Sequence, residues 1–207
     1  MDRASRWAPR MPMQLAPDPV WGLPRQPWSG GLSIVVCWRP SPLLGLRGWS
    51  LLLNALSRLA EDLDAPVRWL AFHRHQDGEL LDWLTDQGVV PPGLRSRSTT
   101  VIPSSLDTVF ASVRKARLVI PMRLHALILA RLAHCPMAAL SYDPKVEAAA
   151  AMAGIPCSSL DALPDEPTLL KQWRESMDSP ADSDQIERIR AAAAHHGSHL
   201  RRYLPQR

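Results

Sequence analysis

The chain of 207 residues contains few cysteines and no long apolar run. Its three cysteines, Cys37, Cys135 and Cys157, are widely spaced and odd in number. This pattern argues against both a disulfide framework and a cysteine-based zinc module. The compartment that we expect for such a chain is a reducing cytoplasm.

Lysine is also scarce, occurring only at Lys115, Lys145 and Lys171. The formal net charge is +4, but no dense block of basic residues accompanies it. We therefore expect mild attraction for anionic metabolites and no nucleic-acid partner.

No segment is long and apolar enough to predict a membrane span. The longest candidate, residues 126–140, is interrupted by Arg131, His134 and Pro136, well short of the roughly 20 residues needed. The first thirty residues contain arginines and prolines without an apolar core, so we predict neither a transmembrane segment nor a secretory signal.

What the sequence does contain is an alternation of short apolar runs with helix-like segments. Such alternation predicts an α/β fold with a Rossmann-like, doubly wound parallel sheet. We expect this lobe over residues 31–160, an extended lead-in or interdomain connector over 1–30, and C-terminal helices packing on the lobe over 161–207. The strand-like runs are residues 32–37, 67–72, 99–102, 117–120, 137–140 and 155–158.

Arg123 and His125 stand where a short apolar strand runs into an apolar helix. Ligands of open α/β sheets collect at the carboxyl ends of strands, where helix N-termini favour anions. Arginine offers a planar fork for carboxylate or phosphate, and histidine exchanges protons near neutral pH. The pair predicts an anion site, the alternative being a structural role at a domain edge.

A second such junction follows the next strand. Asp143 is predicted to cap a helix that has Pro144 in its first turn, and Lys145 adds a positive charge there. A direct substrate role for Asp143 is the weaker interpretation.

The segments Arg-Leu-His-Ala-Leu-Ile-Leu-Ala at 123–130 and Ser-Tyr-Asp-Pro-Lys-Val at 141–146 resemble the polysaccharide pyruvyl transferase family. The match concerns the C-terminal, donor-binding lobe of that family. A weaker match lies at Arg39-Pro40, after the first strand. The resemblance extends over roughly residues 15–160.

The resemblance implies a glycosyltransferase-B-like (GT-B-like) architecture of two Rossmann-like lobes. It implies phosphoenolpyruvate as donor substrate, no further cofactor, and a saccharide of a cell-surface polysaccharide as acceptor, joined to pyruvate as a ketal. Arg39, Arg123 and His125 would bind the donor, with Tyr142 and Lys145 as further substrate-binding residues. His125 is the candidate acid that protonates the donor's methylene carbon, and its alternative role is to bind phosphate only.

The acceptor-binding N-terminal lobe of that family has no counterpart in the sequence. We therefore expect a separate N-terminal lobe or a homo-oligomer to complete the site. One alternative is a GT-B lobe that binds a nucleotide sugar, for which Glu147 is a poor candidate to bind the ribose. Another is a non-catalytic partner domain that retains the anion site.

Two further clusters have simpler explanations. One cluster, formed by His73, His75 and Asp77, has a spacing that could suggest a metal site. No cysteine or second set of carboxylates accompanies it, so we predict no metal site. We expect a solvated loop instead, in which Asp77 caps the following helix. A basic C-terminal stretch is predicted to be a solvated last turn. It comprises His195, His196, His199, Arg201 and Arg202.

Overall fold

The computed structural model describes residues 16–179 and 181–196. Within these ranges, strands alternate with helices as the sequence predicts. The strands are β1 (Ser33–Cys37), β2 (Val67–Leu70), β3 (Ser98–Val101), β4 (Ala116–Pro121), β5 (Ala139–Ser141) and β6 (Cys157–Ser159). The helices are α1 (Gly45–Asp62), α2 (Arg74–Asp77), α3 (Leu80–Asp86), α4 (Pro92–Arg97), α5 (Leu106–Arg114), α6 (Leu124–Leu132), α7 (Pro144–Met152), α8 (Glu166–Met177) and α9 (Ser183–Ala193).

Some predicted features fall outside the described residues. These are the first fifteen residues of the predicted connector and, in the basic C-terminal stretch, His199, Arg201 and Arg202. The boundaries of the three predicted segments, at residues 30 and 160, remain predictions.

The strands form a parallel sheet in the order β3-β2-β1-β4, and β5 and β6 form a parallel pair. A bridge between Val119 and Met137 joins the pair to β4, so the spatial order is β3-β2-β1-β4-β5-β6. After β1 the chain forms β2 and then β3 on one side of β1. It then crosses to the other side of β1, where it forms β4, β5 and β6. The order of strands therefore reverses between β1 and β4, where open α/β sheets leave a crevice.

Strand β1 is buried on both faces because it lies in the middle of this sheet. Ile34 and Val36 pack on one side with α1, α3 and α8, while Val35 and Cys37 pack on the other with α5, α6, α7 and α9. A continuous apolar strand such as this is typical of parallel sheets with helices on both faces. The predicted α/β, doubly wound fold class is confirmed.

Residues 16–31 cross the face that carries α6 and α9. Trp21, in a short 3₁₀ turn at Pro19–Gly22, is buried there. The amide of Gln26 donates to the carbonyl of Leu132 at 3.0 Å, and the amide of Ser29 donates to the carbonyl of Arg114 at 3.1 Å. These bonds fix the segment on the lobe and place Asp18 near the start of α6.

One local feature differs from the sequence prediction. Helix α4 is absent from the predicted elements, because Pro91-Pro92-Gly93 is typical of a turn. Helix α5 is capped by Ser105, which accepts a hydrogen bond from the amide of Thr108. None of the helices in the described part of the chain is long and apolar enough to cross a membrane.

Candidate functional site

A cleft of about 340 Å³ opens at the carboxyl edge of the sheet. Four of the five predicted substrate-binding residues line it, namely Arg123, His125, Tyr142 and Lys145. They come from the turns after β4 and β5, which lie side by side at this edge. The remaining lining residues are Phe72, His73, Leu124, Asp143 and Val146.

Arg123 is bound to a carboxylate that is itself buried. Its Nε donates to Oδ2 of Asp77 at 3.1 Å, and its Nη2 donates to Oδ1 of the same residue. Nη2 also donates to Oε1 of Gln76 at 3.2 Å. Because the Asp77 side chain is only 1% exposed, Arg123 neutralises a buried charge.

Asp77 also organises the turn after β2. Its Oδ2 accepts hydrogen bonds from the amides of Phe72, at 3.1 Å, and His73, at 2.9 Å. The carboxylate therefore holds the end of β2 and the start of α6 together. The prediction that Asp77 caps the following helix is wrong, because its carboxylate turns inward to Arg123.

The N-terminus of α6 has no side chain to cap it. Arg123 occupies the N-cap position with extended backbone, and its side chain, which has only donors and so cannot cap the first-turn amides, is bound to Asp77. The first N–H groups of a helix have no intrahelical partner and favour an anion. The wall of the cleft formed by this helix start is therefore suited to phosphate or carboxylate.

His125 lies in the first turn of α6 with 56% of its side chain exposed. Its Nε2 is 3.5 Å from Oδ2 of Asp18. Asp18 uses its other oxygen to accept a hydrogen bond from the amide of Val20 at 2.9 Å. The imidazole thus remains accessible from the cleft, and a fixed carboxylate stands beside it.

Helix α7 begins at the opposite wall with a complete cap. Asp143 accepts a hydrogen bond from the amide of Lys145 at 2.8 Å, and Pro144 occupies the first turn, as predicted. The side chain of Lys145 is 77% exposed, and its Nζ is 3.9 Å from Oδ2 of Asp143. Lys145 therefore carries a solvent-accessible charge at the cleft.

Arg39, the fifth predicted residue, reaches the cleft only through Tyr142. Its guanidinium carbon lies 4.6 Å from the centre of the Tyr142 ring, and its Nη1 donates to the tyrosine hydroxyl at 3.1 Å. The contact combines a cation–π interaction with a hydrogen bond. It joins the turn after β1 to the turn after β5.

Other candidate groups near the cleft have defined structural roles. His73 caps α2 by accepting a hydrogen bond from the amide of Gln76 through Nδ1. Within the described ranges, no group of three or more His, Cys, Asp or Glu side chains is arranged to hold a metal ion. Burial, with a smaller contribution from the charge of Asp77, raises the pKa of the Cys37 thiol far above its ordinary value, so this residue is not an activated nucleophile.

Sequence reasoning therefore found the side chains at the two helix starts but missed their partners. Asp18 precedes His125 by more than a hundred residues, and Gln76 and Asp77 precede Arg123 by 47 and 46 residues. The only available signal for Asp77 was a lone acidic residue after a predicted strand.

No protein-family model matches this chain, and no curated protein matches it in sequence. Its fold does match solved structures. The glycotransferase of kitacinnamycin has a TM-score of 0.50 and 14% identity, with 95% of this chain and 47% of that chain covered.

Two further structures align less closely. A mutant O-GlcNAc transferase of Thermobaculum terrenum has a TM-score of 0.47 and 19% identity, over 90% of this chain and 38% of its own. MurG of Acinetobacter baumannii has a TM-score of 0.43 and 15% identity, over 87% of this chain and 55% of its own.

The chain has the fold of a glycosyltransferase lobe of the GT-B type. It spans about half the length of the solved structures that it matches. The likeness concerns the fold alone, since at such identities function is decided by the site.

Proposed function

We propose that this chain is the donor-binding lobe of a GT-B-type transferase. The uncapped start of α6 carries the proposal, because it faces a cleft that also contains His125 and the exposed Lys145. Such a cleft is suited to a phosphate group of an activated donor. The glycosyltransferase-like fold makes a nucleotide sugar the first candidate donor.

The proposed mechanism follows from the charge that develops on a leaving group. When the bond between the anomeric carbon of the sugar and the phosphate oxygen breaks, the electron pair of that bond stays on the phosphate oxygen. An acceptor hydroxyl oxygen bonds to the anomeric carbon and releases its proton to solvent. Lys145 and the free N–H groups of α6 stabilise the negative charge on the phosphate oxygen. His125 supplies a proton or a hydrogen bond to the departing oxygen, and Arg123 positions the start of α6 through Asp77.

Phosphoenolpyruvate is the second candidate donor. One observation favours it: the carboxylate among the residues lining the cleft, that of Asp143, caps α7 through Oδ1 and has Nζ of Lys145 at 3.9 Å from Oδ2, so a ribose would compete with these partners. The two motifs at 123–130 and 141–146 favour it as well. With this donor, His125 would protonate the methylene carbon, and two hydroxyl oxygens of a saccharide would bond to the neighbouring carbon to form the ketal. The bond from that carbon to the phosphate oxygen breaks, phosphate leaves, and the two hydroxyl protons pass to His125 and to the phosphate.

The acceptor half of the site is proposed to come from a second lobe or a second copy of this chain. Apolar side chains are exposed near the carboxyl ends of β1 and β3, and a facing lobe would cover them. They are Leu43, Leu46, Ile102 and Leu106. Sedimentation that shows only a monomer at high concentration would contradict self-association.

Calorimetric titration of the full chain tests the donor proposal directly. UDP-glucose, UDP-N-acetylglucosamine and phosphoenolpyruvate are titrated separately into the wild type, Lys145→Ala and His125→Ala. We expect Lys145→Ala to weaken binding of the preferred donor about tenfold, as for one hydrogen bond to a charged group. Lys171→Ala is the matched control, because Lys171 is 76% exposed on α8 and lies outside the cleft.

The identity of the ligand that binds decides between the two donors. A nucleotide sugar that binds and is weakened by Lys145→Ala supports the first candidate, and phosphoenolpyruvate in the same role supports the second. Donor binding without transfer, even after a partner lobe is supplied, would favour the non-catalytic alternative. If none of the three ligands binds at millimolar concentration, the donor-lobe proposal fails.

A further inference from the structure

The cleft that contains Arg123, His125 and Lys145 is called the donor cleft here, after its proposed function. A second pocket, of about 370 Å³, lies beside it at the same edge of the sheet. It is formed by the turn after β1, by α2 and by the first turns of α3. The lining residues are Pro40, His75, Gln76, Glu79, Leu80 and Trp83. We call it the Trp83 pocket.

Trp83 itself is unusual among the tryptophans of the described chain. Five others have at most 3% of their surface exposed and belong to the two cores, whereas Trp83 is 44% exposed. Trp28 is similarly exposed, but its Nε1 donates to the carbonyl of Ala116 at 2.9 Å. Trp83 makes no such bond within the described residues, so both its ring face and its N–H are open to a ligand.

The polar groups of the Trp83 pocket differ in sign from those of the donor cleft. Glu79 supplies an exposed carboxylate that forms no ion pair with any described residue, and His75 and Gln76 add further hydrogen-bonding groups. A carboxylate here repels phosphate, whereas the donor cleft attracts it. The pocket is therefore suited to an uncharged ligand that has hydroxyl groups to donate and an apolar face to stack.

A pyranose ring has these properties. Its axial C–H groups form an apolar face that can stack on the indole, and its hydroxyls can donate to a carboxylate and an imidazole. The pocket is large enough for one such ring and is open on one side, as a site for a terminal sugar must be.

The Trp83 pocket and the donor cleft lie on either side of residues 72–76, of which Phe72 and His73 line the cleft and His75 and Gln76 line the pocket. Gln76 lines the pocket and accepts a hydrogen bond from Nη2 of Arg123 in the cleft at 3.2 Å. The ring of His75 in the pocket is 6.4 Å, centre to centre, from the ring of His73 in the cleft. A sugar on Trp83 would thus lie next to a donor in the cleft.

We propose that the Trp83 pocket is a subsite for a neutral saccharide, namely the one acceptor ring that contacts this lobe, while the second lobe or second copy supplies the rest of the acceptor site. Trp83 provides the stacking surface, and Glu79 accepts hydrogen bonds from hydroxyl groups. The inference rests on the proposed function, because only a donor in the neighbouring cleft makes this saccharide an acceptor.

Saturation-transfer NMR on the full chain tests the subsite. The probes are methyl β-D-glucopyranoside, methyl β-D-galactopyranoside and methyl 2-acetamido-2-deoxy-β-D-glucopyranoside. We expect transfer to the ring C–H protons of at least one probe in the wild type. Trp83→Ala should lower the affinity for that probe at least tenfold, and Trp83→Phe should retain part of the affinity.

Two further variants separate stacking from general effects. Glu79→Gln should lower the affinity for the same probe severalfold. Trp28→Ala should leave this affinity unchanged, because Trp28 lies near the opposite edge of the sheet. An equal loss of affinity for the probe in Trp28→Ala and Trp83→Ala would overturn the proposal. Displacement of the sugar by uridine would also overturn it, because it would identify a site for a nucleobase. No transfer to any probe in a folded wild type would also overturn it.

The donor titration distinguishes this inference from the proposed function. If Trp83→Ala loses the saccharide but binds the donor as the wild type does, both proposals are supported. Donor binding without any saccharide binding overturns only the Trp83 subsite. Saccharide binding without donor binding overturns the donor-lobe proposal and, with it, the assignment of the sugar as an acceptor.

Discussion

The two units β4–α6 and β5–α7 are neighbours in the sheet and are built alike, but they begin differently. At the start of α6, Arg123 is joined to the buried Asp77, and no side chain caps the helix. At the start of α7, Asp143 caps the helix and Lys145 extends into solvent. One unit therefore has a fixed cation and free amides, and the other has satisfied amides and a free cation.

Under the proposed function, this difference gives the two units different roles in binding an anion. A guanidinium that already neutralises a buried carboxylate has little charge left for a ligand, but it holds the helix start in place. An exposed ammonium contributes little to folding and keeps its charge available. We therefore expect changes at the first unit to affect mainly stability and changes at the second to affect mainly binding.

The largest effect is expected from Asp77→Ala. It leaves Arg123 without its partner and removes the acceptor for the amides of Phe72 and His73. Removal of one partner from a buried ion pair destabilises a protein by about 3 kcal/mol or more. Urea denaturation, followed by circular dichroism, measures this loss.

Asp82→Ala is the matched control for that experiment. Asp82 pairs with Arg95 at 3.3 Å, but its side chain is 71% exposed, so we expect a change of less than about 1 kcal/mol. Equal losses in the two variants would show that the Arg123 pair is not the stabilising contact described here.

A smaller effect is expected from Asp143→Ala at the start of α7. Loss of an N-cap lowers the free energy of unfolding by about 1 kcal/mol. Ser105→Ala, which removes the cap of α5, should cost a similar amount. Because the carboxylate of Asp143 lies in the donor cleft, Asp143→Ala should also strengthen binding of an anionic donor. Ser105→Ala should leave donor binding unchanged. Unchanged donor binding in both variants would contradict the proposal that the anion binds at the starts of α6 and α7.

The contrast between these units also shows what the sequence could predict. Asp143, Pro144 and Lys145 are adjacent, and a helix cap is a local interaction, so the pattern predicted it correctly. The partner of Arg123 is 46 residues away and is brought close only by the pairing of β1 with both β2 and β4. Residues 123–125 and 142–145 therefore lie together at the carboxyl edge of the sheet, as expected for the predicted site, but the role of Arg123 depends on tertiary structure.

The same distinction applies to the fold. The apolar run at residues 32–37 predicted a strand, and the structure places β1 there at Ser33–Cys37, with every residue buried. The six residues of α4 begin with Pro-Gly and form a helix because Leu94 is buried beside α1. Local propensity gives no sign of this, since the packing that overrides it comes from elsewhere in the chain.

The two units also differ where their helices end, and this predicts the smallest effect. Both α6 and α7 end in left-handed backbone, but α7 does so at Gly154, with φ of +61°, and α6 at His134, with φ of +56°. Such backbone is unfavourable for a residue with a Cβ, so His134→Gly should raise the free energy of unfolding by up to about 1 kcal/mol. Gly154→Ala should do the opposite, because its Cβ would also lie 3.0 Å from Oε1 of Gln185.

The pH dependence separates this backbone effect from the charge of the imidazole. Burial, with the nearby Arg25 and Arg131, lowers the pKa of His134, so the folded state binds a proton less readily than the unfolded state does. The wild type therefore loses stability as the pH falls below about 6.5, the ordinary pKa of histidine. Urea midpoints at pH 7.5 and pH 5.5 measure the stability that His134→Gly gains over the wild type, and we expect a larger gain at pH 5.5. An equal gain at both pH values would show that protonation of His134 does not oppose folding. The gain would then come from the backbone alone.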